Sequence, residues 1–209
     1  MSFLTENMDT IINADCMDVL KQLPDKCVDL VLTDPQYGIG ISSNPVRQKH
    51  TKKDWDNCIP TDDIFNEIFR ISKNQIIWGG NYFNLPPSQG FFIWDKIQPE
   101  KFSLAMCEFA WSSIQQPAKM FSYSVLKEKE KIHPTQKPVQ LFQWLLGRET
   151  KEGDLILDCF SGSGTTAVAC HNLKRHFICI EKDPDYWAVS VKRLEEARRQ
   201  MSIFDVLEA

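Results

Sequence analysis

Short apolar runs alternate along the chain with amphipathic stretches. The runs at 10–14, 28–33, 75–78, 91–94, 108–111, 155–159 and 177–180 are each bounded by polar or turn-forming residues and read as strands. Between them, Ile64, Phe65, Ile68 and Phe69 share one face of a helix over 62–71 behind a Thr61 cap. Asp183-Pro184 starts a second helix over 185–200. About seven strands interleaved with helices predict an α/β fold with a doubly wound, mostly parallel sheet. Two segments follow neither period. Residues 38–60 and 115–131 read as long polar loops, a length that inside a domain goes with functional lids or binding loops, or else with disorder.

A chain of 209 residues, 43% hydrophobic and 25% charged, has the balance of one folded domain spanning 1–209 rather than of a disordered segment. Its seven cysteines form no CxxC pair, so neither a metal site nor a disulfide framework is indicated. With no export leader at the N-terminus and no membrane-length apolar run, the expectation is a cytoplasmic protein with no membrane partner. The net charge of -4 argues weakly against a polyanionic partner. Its distribution matters more. Residues 41–53 carry Arg47, Lys49, Lys52 and Lys53 with no acid among them, which taken alone reads as a solvated loop.

Two stretches carry chemistry. Residues 31–38 read VLTDPQYG, an apolar strand ending on a carboxylate and followed by proline and an aromatic ring. A proline turn with a tyrosine anchor is one reading, and an active site at the carboxyl end of a parallel strand is the other. Residues 155–167 read LILDCFSGSGTTA, a strand running into G-x-G-x-x-A, with Thr165 opening a helix whose free N–H groups would face a negative ligand. Downstream, FICIEKD ends a second strand on Glu181, at the distance where an acid accepts hydrogen bonds from ribose hydroxyls. That set suits NAD and an adenosyl cofactor equally.

The combination of DPQY, FSGSGTT and HPTQKP at 133–138 resembles the amino-group DNA methyltransferases, which use S-adenosylmethionine to methylate an exocyclic nitrogen of adenine or cytosine. The catalytic motif precedes the cofactor loop, as in the permuted beta group of that family. The resemblance runs over about 13–185, with IIWGGNYF, FFIWDK and CEFAWSS similar to intervening family strands. It implies a Rossmann-like methyltransferase sheet with permuted motif order, and double-stranded DNA as partner. It makes Asp34, Pro35 and Tyr37 the catalytic turn, and Asp158, Gly162, Gly164 and Thr165 the methionine side of the cofactor site. Glu181 becomes the ribose acid, Asp15 a neighbour of the cofactor's adenine, and Thr135 and Lys137 neighbours of its methionine carboxylate. Without the resemblance, Asp15 reads as a helix cap and HPTQKP as a proline-set helix start. Family members usually carry a second proline where this chain has Gln36, and a longer recognition segment before HPTQKP.

The implied chemistry gives each atom of the turn a task. The Asp34 carboxylate and the Pro35 carbonyl accept the amine's two N–H bonds, freeing its lone pair for in-line attack, while Tyr37 offers a face to the flipped-out base. Beside such a turn the basic residues of 41–53 become phosphate contacts. An aspartate at 34 is the adenine-type choice, so N6 of adenine is the expected target and N4 of cytosine the alternative. An NAD-dependent oxidoreductase and a methylase-like DNA-binding protein without turnover stand as readings from other classes. The resemblance leaves open a homodimer and a separate restriction endonuclease as further partners.

Overall fold

The central strands bury side chains on both faces, and that requires helices on both sides of one sheet. The computed structural model describes residues 3–40, 56–101, 105–127 and 135–207, with side chains through 200. Among these residues, eight strands form one sheet: β1 (Thr10–Asn13), β2 (Val28–Thr33), β3 (Ser72–Trp78), β4 (Gly90–Asp95), β5 (Cys107–Ser112), β6 (Lys119–Ser122), β7 (Leu155–Asp158) and β8 (His176–Glu181). Their order is β1-β8-β7-β2-β3-β5-β4-β6. Only β5 runs against its neighbours; every other pairing is parallel. The helices are α1 (Phe3–Asn7), α2 (Cys16–Leu20), α3 (Asp62–Ile71), α4 (Val139–Glu149), α5 (Thr165–Asn172) and α6 (Pro184–Leu207).

Alternation along the strands divides the core in two. Leu30, Leu32, Ile76, Trp78, Ile156 and Phe177 pack toward α4, α5 and α6, in a layer with Leu141, Leu145 and Ala167. Their immediate neighbours Val31, Ile77, Leu155, Leu157 and Ile178 point the other way, onto Val19 and Leu20 of α2 and Phe65 and Ile68 of α3. This is the Rossmann-like, doubly wound architecture expected.

Two details differ from expectation. The segment 115–131 is not a plain loop, because Lys119–Ser122 pairs in parallel with β4 as the sheet's last strand. Its burial alternates between half-buried and exposed, as an edge strand's does, so no strong apolar run announced it. Thr61 does sit at the cap position of α3, but its side chain makes no capping hydrogen bond.

The antiparallel run of β5 has a functional consequence. Parallel strands deliver their carboxyl ends to one rim of the sheet, and β5 delivers its first residues, Cys107 and Glu108, to that same rim. Register places Glu108 opposite Trp94 at the end of β4.

Candidate active site

The two chemical stretches meet because β2 and β7 are neighbours in the sheet. Thr33, at the end of β2, donates its hydroxyl to Asp158 Oδ1 at 2.8 Å, and the Phe160 backbone N–H donates to the same oxygen at 3.1 Å. The Thr166 hydroxyl donates to Oδ2. Asp158 is therefore a buried tie between the catalytic strand and the glycine loop. Burial pushes its carboxyl up to about 6 even against these hydrogen bonds.

The loop that follows turns on Gly162 (φ 50°) and Gly164 (φ 74°), both in the left-handed region. Gly164 caps α5 against α6 so closely that a Cβ there would lie 2.9 Å from Ser190 Cβ. Arg193 of α6 donates to the Ser163 carbonyl and the Thr165 hydroxyl, each at 3.0 Å, and fixes the loop from behind. In front, the Gly162 N–H donates to Glu181 Oε2 at 2.7 Å and the Asp183 N–H to Oε1 at 2.8 Å. Burial dominates over these two bonds and raises the Glu181 carboxyl to about 7.

At the end of β2, Asp34 has one donor on each oxygen. The Tyr37 hydroxyl donates to Oδ1 at 2.6 Å and the Lys137 ammonium to Oδ2 at 2.6 Å. A carboxylate offers about four lone-pair sites, so acceptor capacity remains on both oxygens. Lys137, only 4% exposed, also pairs with Glu108 Oε2 at 2.8 Å, and Lys96 pairs with Glu108 Oε1. Burial pushes Asp34 upward while Lys137 and the Tyr37 hydroxyl pull against it. Burial would raise Glu108 too, but the two ammonium groups overcome it and hold its carboxyl at about 2.

One cavity of about 620 Å³ joins these parts. Asp34, Pro35, Tyr37, Thr135, Lys137, Asp158, Gly162, Thr165 and Glu181 all line it. Gly164 lies behind the wall as the α5 cap. Three expectations are refined. Lys137 does not lie free for a carboxylate ligand: its ammonium sits 5.7 Å from the Tyr37 ring centroid and 5.5 Å from that of Trp78, and pairs with Asp34. Asp15 is outside the cavity wall; it caps α2 by accepting the Met17 N–H at 3.0 Å and pairs with Lys182 at 2.9 Å. Tyr37 already stacks on Tyr82, with centroids 4.7 Å apart and planes 11° from parallel. His133, Pro134, Arg47, Lys49, Lys52 and Lys53 lie outside the described residues.

Sequence reasoning did not single out Glu108, Lys96 or Tyr82. A signal existed for Glu108, an acid placed within the apolar run of CEFAW. Tyr82 and Lys96 had none: each is a polar-tipped residue just past a strand, and only the topology brings them to the cavity.

Comparison with known proteins agrees with this geometry. Residues 91–192 match the N6/N4 family model described as DNA methylase. Type II methyltransferase M.HinfI of Haemophilus influenzae is 26% identical, covering 98% of this chain and 73% of its own length. Type II methyltransferase M2.DpnII of Streptococcus pneumoniae is 27% identical, covering 92% of each. Among solved structures, the M1.HpyAVI–SAM complex superposes with a TM-score of 0.58 at 22% identity, over 88% of this chain and 98% of that one. The cytosine-N4-specific PvuII DNA methyltransferase gives 0.59 at 17% identity, over 91% of each. The adjoining acid turn and glycine loop, the family match over 91–192 and these relatives all make the chain similar to the amino-group DNA methyltransferases, whose methyl donor is S-adenosylmethionine.

Proposed function

We propose that the chain methylates N6 of an adenine flipped out of double-stranded DNA. The observation that carries this reading is Asp34, a carboxylate with spare lone pairs in the same cavity as the glycine loop. An exocyclic amine is a weak nucleophile because its lone pair is delocalised into the ring. Asp34 and the Pro35 carbonyl take its N–H bonds and turn that lone pair toward the methyl donor. Asp34 is first an electrostatic acceptor and receives a proton only once the amine has become cationic. The aspartate at 34 favours adenine, while the fold shared with a cytosine-N4-specific enzyme keeps N4-methylcytosine as the second reading. Incubation with labelled cofactor and unmethylated DNA, followed by nucleoside analysis, is expected to yield N6-methyladenine. A digest containing only N4-methylcytosine would overturn the adenine assignment.

The residues present fit the cofactor. The cavity is of ligand size, its glycine loop opens a helix N-terminus, and Glu181 is held by backbone N–H groups at the end of β8. S-adenosylmethionine supplies an electrophilic methyl group on a sulfonium. On this chain the loop at Gly162 and Thr165 would hold the methionine portion and Glu181 the ribose hydroxyls.

A pH dependence follows from Glu181. Its carboxyl is raised to about 7, so below that pH it is protonated and accepts ribose hydroxyls poorly. Affinity for S-adenosylhomocysteine is expected to strengthen as pH rises through about 7, by up to roughly tenfold per unit on the acid side, with proton release on binding. Calorimetry in buffers of different ionisation enthalpy measures both. Glu181→Gln should weaken binding and flatten the profile; an unchanged profile would remove Glu181 from the ribose site.

A further inference from the structure

The ionic cluster behind Asp34 is larger than an acceptor for one amine requires. Four charged side chains pair in sequence along the wall of the cavity: Asp34, Lys137, Glu108 and Lys96. They come from the β2 turn, the segment before α4, β5 and the end of β4, so no local sequence rule places them together. Their formal charges cancel. Lys137 is triangulated, with Asp34 at 2.6 Å, Glu108 at 2.8 Å and the Tyr37 hydroxyl at 3.4 Å, and its ammonium lies 5.5 Å from the Trp78 ring centroid.

Burying four charges costs solvation that hydrophobic residues of the same volume would not, so stability alone is a weak reason for the cluster. A buried carboxylate with no counter-charge would take up a proton and lose its acceptor role. A lysine paired with that carboxylate alone would cure this but would draw off the electron density needed to accept the amine's N–H. A second carboxylate sharing the lysine balances the two demands.

We propose that Lys137 and Glu108 are positioning residues that set the charge state and acceptor strength of Asp34, with Lys137 holding it ionised and Glu108 dividing the lysine's charge. The proposal rests on Asp34 being the amine acceptor and deepens that reading. Every ionisable group facing Asp34 enters the balance. Tyr37 comes from its own turn, Lys137 from the segment before α4, Glu108 from β5 paired with Lys96 just after β4, Asp158 from the end of β7, and Tyr82 from behind Tyr37. Of these, Lys137 favours the ionised form and Glu108 opposes it. Removing the one or the other should therefore move Asp34 in opposite directions.

The test is titration of Asp34 in the full-length chain by carbon-13 carboxyl NMR, with its resonance assigned through Asp34→Asn. The near-isosteric Glu108→Gln is expected to lower the Asp34 midpoint by about one pH unit or more, and Lys137→Met to raise it by at least as much. In single-turnover methylation at saturating cofactor, the acid limb should move with the midpoint in each variant. A purely structural role would lower both rates without opposed shifts. If Lys137→Met does not fold, as a thermal melt would reveal, the direction of the Glu108→Gln shift decides alone. A midpoint unmoved or raised by Glu108→Gln overturns the proposal. Because the NMR readout needs no DNA, opposed shifts in a protein that methylates no base would count against the methyltransfer reading and leave the charge balance standing.

Discussion

Asp34→Asn is expected to lower turnover by about a thousandfold or more while S-adenosylhomocysteine binds as before. Loss of one preorganised electrostatic partner of a transition state typically costs roughly 10²–10³ in rate. Here the replacement amide also presents an N–H₂ group where the reaction needs an acceptor. Cofactor contacts are assigned to the glycine loop and Glu181, which Asp34 does not touch. Stability should fall as well, since Lys137 is 4% exposed and loses one of its two carboxylates. Glu108 still pairs with it, so the loss should stay below the ~3–5 kcal/mol typical when a buried ion is left without a partner. Tritium transfer from labelled cofactor, calorimetry and a thermal melt separate the three effects. Methylation within about tenfold of the unaltered chain would remove Asp34 from the chemistry, because one lost acceptor should cost more.

The parts of this molecule legible in the sequence are those where a local pattern and a physical requirement coincide. Seven strands showed because each is a short, mostly apolar run between polar or turn-forming residues, and β2 and the helix at 62–71 appear with the expected bounds. The glycine loop showed because positive φ at 162 and 164 and the close approach of Ser190 leave little room for other residues. What stayed hidden depends on contacts between distant segments. Lys137 is 103 positions from Asp34, and its ammonium could have reached a ligand or a side chain; only the path of the segment before α4 decides. Glu108 reaches the site because β5, alone among the described strands, runs against the sheet, a topological choice that no residue in CEFAWSS dictates. Tyr37 showed as an aromatic beside an acid, but its hydroxyl bond to Asp34 and its stacking on Tyr82 needed the fold. Gly79 explains the fit: a Cβ there would lie 2.1 Å from Tyr37 Cε1, so the ring can settle only over a glycine.

The remaining large effect concerns how an acidic chain holds an acidic polymer. With a net charge of -4, affinity for DNA has to come from local cations. Arg47, Lys49, Lys52 and Lys53 lie outside the described residues, but the two ends of their segment do not. Asp56, 1% exposed, accepts the Gly38 N–H on its carboxylate at 2.9 Å and the Gly40 N–H on its carbonyl at 3.2 Å. The described residues on either side of 41–55 therefore meet at one point, where Ile39 and Asp56 line the cavity. On the proposed function, a base drawn into the cavity would bring its flanking phosphates to that rim. Each cation that neutralises a phosphate releases a condensed counterion and contributes about 0.9 to the logarithmic salt slope on duplex DNA. Replacing all four with Gln should flatten the slope by up to roughly 3.6. Between ~50 and ~200 mM salt the variant should then lose about a hundredfold less affinity than the unaltered chain, starting from weaker binding at low salt. The loss should be similar across DNA sequences, because phosphates carry no base identity. Cofactor affinity should not change. A fluorescence-anisotropy salt series on one duplex measures the slope. If it is unchanged, the four cations are a solvated surface, and the phosphate contacts belong to Lys119 on β6 and the lysines of 127–131.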